Sequence, residues 1–135
     1  MIVADTSVIA HLVLPSPHTA LAERLLGADL DWIAPILWRS EMRNVLALYL
    51  RKSLVTLEEA LSLQAEAEAL LQDREYEVGA RDVLMLVERS PCSAYDCEFV
   101  ALARELGWLL VTSDRQIVNR FAEQAVDLES FTHRR

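Results

Sequence analysis

Short apolar runs alternate along this chain with longer stretches of helical periodicity, and that alternation limits the folds open to it. Ile2-Val3-Ala4, Trp32-Ile33-Ala34 and Trp108-Leu109-Leu110-Val111 are too short for helices and carry no polar alternation. They read as strands buried on both faces. Tyr76-Glu77-Val78 and Ala125-Val126-Asp127-Leu128 are weaker candidates of the same kind. Between them the spacing predicts helices over 6–14, stopped by Pro15 and Pro17, and over 19–26, with Gly27 as C-cap. Further helices are predicted over 37–52, from a Thr56/Glu59 capping box to Gln72, and over 81–89 before Pro91. The last two span 93–106, closed by Gly107, and 116–123. Strands alternating with helices give an α/β domain, a three-layer α/β/α arrangement around a short, mainly parallel sheet. The 135 residues suit a single domain, with 129–135 expected as a loose tail.

Charge narrows the function. With 13 Lys+Arg against 21 Asp+Glu, the net charge of −8 excludes an all-over basic nucleic-acid coat but leaves room for a local basic rim. Lys52 is the only lysine, so chemistry that needs a lysine in the site has one residue to draw on. Cys92 and Cys97 form neither a CxxC pair nor, with no His nearby, a zinc site; they read as reduced thiols. His11, His18 and His133 are isolated. No run approaches the ~18 apolar residues of a membrane span. The N-terminal residues reach Asp5 without the basic and long apolar segments of a signal peptide, so a cytoplasmic location is expected.

Four carboxylates stand where the pattern does not ask for them. Asp5 ends the first strand, and Asp114 follows the strand over 108–111, at the sheet edge where α/β domains bind ligands. Each is equally well read as an N-cap. Glu41 interrupts the otherwise apolar row Leu37, Val45, Leu48, where the competing reading is a stem packed at the edge of that face. Asp96 interrupts the row Cys92, Phe99, Val100, Ala103, though Ser93 and Asp96 also fit a capping box. Like charges about 4 Å apart repel by roughly 4 kcal/mol at an effective dielectric near 20. If all four meet, they need a shared proton or a cation. Oxygen-only donors suit Mg²⁺ or Mn²⁺, the usual apparatus of phosphoryl chemistry.

Asp5-Thr6-Ser7, Glu41 within Arg39-Ser40-Glu41-Met42-Arg43-Asn44-Val45-Leu46, Tyr95-Asp96 leading into Phe99-Val100-Ala101-Leu102-Ala103, and Leu110-Val111-Thr112-Ser113-Asp114 occur in this order. Together, over about residues 1–128, they resemble the PIN-domain ribonucleases, and more narrowly the VapC-type toxins of toxin–antitoxin pairs. The resemblance implies a PIN-like fold and a metal-dependent endoribonuclease. Asp5, Glu41, Asp96 and Asp114 would be its acidic metal ligands and catalytic residues, with Thr6, Thr112 and Ser113 as polar supports. It also implies a homodimer and inhibition by a small antitoxin. The apolar helices over 37–52 and 57–72 are candidates for a dimer or antitoxin groove, with plain core as the competing explanation. The chain departs from some relatives at Arg115-Gln116-Ile117-Val118-Asn119, which holds no further acid for a second metal.

Arg39, Arg43, Arg115 and Arg120 lie close in sequence to these acids and are candidate phosphate contacts, or ordinary solvated arginines. Tyr95 and Trp38 are candidates to stack on a base, with packing as the competing role. A haloacid-dehalogenase-like phosphatase would need a second Asp where Ser7 stands, and a site lysine. A phosphoacceptor receiver domain would need a lysine where Thr112-Ser113-Asp114-Arg115 stands. A degenerate PIN domain acting only as a protein-interaction module fits the same motifs.

Overall fold

The computed structural model describes residues 1–28 and 31–133. The strands are β1 (Ile2–Ala4), β2 (Trp32–Pro35), β3 (Glu75–Tyr76), β4 (Leu110–Thr112) and β5 (Ala125–Asp127). The helices are α1 (Thr6–Val13), α2 (Thr19–Gly27), α3 (Trp38–Arg51), α4 (Leu57–Leu70), α5 (Ala80–Glu88), α6 (Ala94–Leu106), α7 (Arg115–Arg120) and α8 (Leu128–His133). All pairings are parallel, in the order β3-β2-β1-β4-β5. The expected parallel α/β/α fold is therefore the fold observed.

The strand order explains where a ligand can go. The chain steps outward from β1 to β2 to β3, then jumps back across the sheet to β4. Right-handed crossovers in opposite directions put helices on opposite faces. α1 packs on β1, β4 and α3, while α6 packs on β1, β2 and β4 and carries α5 behind it. The reversal falls between β1 and β4, the switch point at which open α/β sheets form a crevice beyond the strand ends. Val3, Ile33, Leu110 and Val111 are completely buried at the sheet centre, as strands covered on both faces require.

Local signals fix the helix ends near the site. Ser93 accepts from the Asp96 amide and caps α6. Cys92 and Cys97, both buried, take the positions just before and four residues after that cap, the places of a hydrophobic staple. Both thiols are free, and burial pushes their pKa up, so they are poor nucleophiles. Gly107 ends α6 at φ +72, a left-handed conformation that a side chain would strain. At Thr56 the predicted capping box with Glu59 is present in full.

The fold differs from expectation in these places, besides β3, which covers Glu75–Tyr76 where Tyr76-Glu77-Val78 is expected. Gly27 is the last residue of α2 and not its cap, which is Ala28. β4 lies two residues later than predicted at its start, running to the buried Thr112 and leaving Trp108 outside and 42% exposed. The helix expected over 116–123 is α7, ending at Arg120. The loose tail expected over 129–135 is a helix as far as His133, anchored by buried Leu128 and Thr132 and packed on α2; Arg134 and Arg135 lie outside the described residues. Among the described residues no helix is long and apolar enough to cross a membrane.

An acidic cleft at the sheet switch point

Asp5 leaves β1 in extended conformation and caps α1, its Oδ1 accepting from the Thr6 amide at 2.9 Å. Its Oδ2 accepts from Ser7 Oγ at 2.9 Å and from Thr112 Oγ1 at 2.7 Å. The capping role and the cleft role thus belong to one side chain. Thr112, fully buried at the end of β4, also accepts from the Asp114 amide at 3.0 Å. Its hydroxyl ties the two strand ends together. Asp114 in turn caps α7, accepting from the amides of Gln116 and Ile117 at 2.8 and 3.2 Å.

Glu41 sits one turn into α3, half-buried, and accepts from Thr6 Oγ1 at 2.7 Å. Thr6 and Thr112 therefore support the acids directly. Ser113 does so only through its backbone, whose amide donates to Ser7 Oγ at 3.1 Å. Asp96 enters from α6 on the far side. Asp5, Glu41 and Asp96 line one open cleft of ≈ 590 Å³, and none of its lining residues is Lys or Arg. Asp114 stands beside it, close enough to act on Asp96 electrostatically.

The charges disturb one another. Burial raises the pKa of Asp5, against the hydrogen bonds from Thr112, Ser7 and Thr6, and the Asp96 charge adds to the rise. Burial likewise raises Glu41, against its bond from Thr6, with Asp5, Asp96 and Glu98 adding to it. Asp96 is raised by burial and by Asp114. A hard cation is the ligand whose chemistry answers such a set: the donors are all carboxylate and hydroxyl oxygens, with negative charge left uncompensated. Spacing is less complete than chemistry. Among the described residues no three acidic, His or Cys side chains stand close enough to hold one ion as placed.

These shifts predict a pH dependence. Each of the three acids protonates more readily in the fold than in the unfolded chain. Their stabilising contribution is complete below the ordinary values of 3.8 for Asp and 4.5 for Glu, and is lost as pH rises through the raised values. Glu75, lowered by Arg39, and Asp127, lowered by the Ser130 amide, behave oppositely: their contribution is complete above 4.5 and 3.8 and is lost as pH falls through the lowered values. The metal-free chain is expected to melt highest in mildly acidic buffer, between the two windows. A Tm series from about pH 7 to about pH 3 checks this, and a steady fall from neutrality downward contradicts it.

The other predicted contacts sort differently. Arg39 is engaged away from the cleft, donating to Glu75 Oε1 at 2.7 Å and to Glu68 at 3.2 Å, so it is not a free phosphate contact. Trp38 is completely buried, with its indole N–H on Glu75 at 2.7 Å, and offers no face to a base. Arg43 is exposed and donates to Ser40, which lines the cleft. Arg115 is exposed and acts on Asp127, while Arg120 donates to the Arg89 carbonyl. Tyr95 lines the cleft and is 62% exposed. Sequence reasoning passed over Ser7, Ser40 and Asn44 as site residues. Ser7 was signalled by its place two residues after Asp5; Ser40 and Asn44 only by their positions one residue before and three after Glu41.

A family profile described as "PIN domain" matches residues 2–124. Ribonuclease VapC3 of Pyrobaculum aerophilum is 29% identical over 123 residues, covering 89% of this chain and 94% of the relative. Among solved structures, PAE2754 from Pyrobaculum aerophilum matches with a TM-score of 0.70 at 22% identity, covering 98% of this chain and 93% of that one. FitAB bound to an IR36 DNA fragment matches with a TM-score of 0.70 at 19% identity, covering 95% of each chain. At those identities the two structures speak for the fold alone.

Proposed function

Since the chain belongs to the PIN domain family, we propose that it is a divalent-metal-dependent endoribonuclease, the toxin of a toxin–antitoxin pair. The similarity to a ribonuclease of VapC type over most of the chain supports the reaction class. The single observation that carries the site is the arrival of Asp5, Glu41 and Asp96, from three separate elements, in one cleft without a cationic lining residue. Asp5, Asp96 and Asp114 are the proposed metal ligands, with Glu41 as a further ligand or as the group that orients the attacking water. Mg²⁺ or Mn²⁺, when bound, supplies activation of water and compensation of charge on the phosphate oxygens.

The chain's own residues do the rest. Ser7 and Thr112 hold the Asp5 carboxylate in one orientation through their hydroxyls. Thr6 does the same for Glu41. Its raised pKa places Glu41 closer to the range in which a carboxylate takes a proton from water as the water attacks phosphorus. The P–O bond to the 3′-oxygen breaks, leaving a 3′-hydroxyl and a 5′-phosphate. Attack by the ribose 2′-hydroxyl would instead leave a cyclic phosphate.

Cleavage of single-stranded RNA is expected to stop on chelation by EDTA and to return with Mg²⁺ or Mn²⁺, yielding 5′-phosphate ends. Cleavage that persists in EDTA, cyclic-phosphate products, or no cleavage under any metal would overturn the proposal. The last result would favour the interaction-module reading.

The proposed partners are RNA, a cognate antitoxin and a second copy of the chain. A separate apolar groove of ≈ 690 Å³, lined by Val13, Leu14, Tyr49, Val55 and Leu63 among others, supports an antitoxin docking face on α1, α3 and α4. Exposed Leu84 and Met85 on α5 support a homodimer contact elsewhere.

A further inference from the structure

Tyr95 and Asn44 are polar lining residues of the acidic cleft that take no part in holding the acids. Tyr95 is the only aromatic among the lining residues, and its ring is 62% exposed. It is the second residue of α6, immediately before Asp96. Asn44, exposed on α3, also lines the cleft, three residues after Glu41 and therefore on the same side of that helix. Asn is a poor helix former in a helix interior because its amide competes for backbone bonds. Among the described residues neither the Asn44 amide nor the Tyr95 hydroxyl has a hydrogen-bond partner. Leu37 and Val45 add apolar surface to the same wall. From α6 the cleft thus offers an aromatic ring, and from α3 apolar contact and an amide with both a donor and an acceptor.

We propose that this half of the cleft is a nucleoside subsite: an unpaired RNA base stacks on the Tyr95 ring and turns its edge to the Asn44 amide. The inference rests on the ribonuclease reading and deepens it by assigning Tyr95 and Asn44 to an unstacked base beside the scissile phosphate. The electrostatics favour base recognition here. No Lys or Arg lines the cleft, so its walls offer the phosphate backbone little direct attraction. Aromatic stacking needs no charge and accepts any base, and an amide discriminates among base edges by its donor–acceptor order. In a duplex both faces of each base are already covered, so paired RNA enters only by flipping a nucleotide out.

The test separates binding from cleavage. In an Asp5→Asn background, a single-stranded RNA carrying one 2-aminopurine is titrated with the full chain, and its fluorescence reports stacking. Tyr95→Ala is expected to weaken binding about 10–100-fold and to abolish the fluorescence change, as loss of one base–aromatic stack does. Tyr95→Phe is expected to retain both. Asn44→Ala is expected to level the affinities of oligonucleotides that differ only in that base. In the active chain the Tyr95→Ala defect is expected to fall on KM. Unaltered binding and quenching by Tyr95→Ala, or equally tight binding of blunt duplex RNA, overturns the subsite while leaving the nuclease proposal standing. Undiminished cleavage by Asp5→Asn would instead strike at the nuclease site itself.

Discussion

Asp5→Asn is expected to abolish RNA cleavage while leaving the chain folded. Asp5 is the proposed ligand with the most fixed orientation, held by one backbone and two hydroxyl donors. An amide of the same shape keeps the cap on α1 but loses the charge. Several kcal/mol of charge stabilisation, at a factor of ten per roughly 1.4 kcal/mol, corresponds to at least about 10³-fold in rate. Stability should move the other way. Burial raises the pKa of Asp5, so the ionised form is disfavoured in the fold, and removing it relieves repulsion with Asp96. At neutral pH without metal, the variant is expected to resist urea at least as well as the parent. A folded variant that cleaves at the parental rate would remove Asp5 from the site.

Trp38→Ala is expected to give the largest loss of stability, about 3–5 kcal/mol, the usual cost of truncating a buried aromatic. Trp38 is completely buried at the start of α3, and its indole N–H reaches Glu75 on the edge strand β3. The substitution opens a cavity under α3 and leaves Glu75 to Arg39 alone. Because Glu41 lies three residues further along the same helix, cleavage should fall with stability. Urea denaturation checks the first effect, and a loss below about 1 kcal/mol would contradict the packing described.

The legible parts of this molecule are those whose signal is local. Ile2-Val3-Ala4 can only be a buried strand, and an acid directly after it has to lie at the carboxyl edge of the sheet. Glu41 and Asp96 declared themselves by breaking apolar rows. The cap at Thr56 follows from four adjacent residues. What escaped depends on partners distant in sequence. Arg39 looked free because Glu75, 36 residues away, gives no sign along the chain that it will come to lie beside it. For Trp38 the sequence leaves stacking and packing both open, and its complete burial against Glu75 decides for packing. Apolar character runs from Trp108 to Val111 and sets the expected strand two residues early, whereas β4 includes Thr112, whose hydroxyl is satisfied by Asp5 and can be buried. The terminal helix was missed because its anchor is tertiary: Leu128 and Thr132 are buried in a chain end that packs on α2.

The bond between Thr112 and Asp5 joins positions 107 residues apart. A chain emerging from the ribosome has the first of these long before the second. Until β4 emerges, Ser7 alone bonds the far oxygen of Asp5, and the crevice lacks one of its two strand walls. A nascent fragment that stops short of β4 therefore carries Asp5, Glu41 and Asp96 without the second strand beside them, and the cleft is completed only by the long-range closure of the sheet.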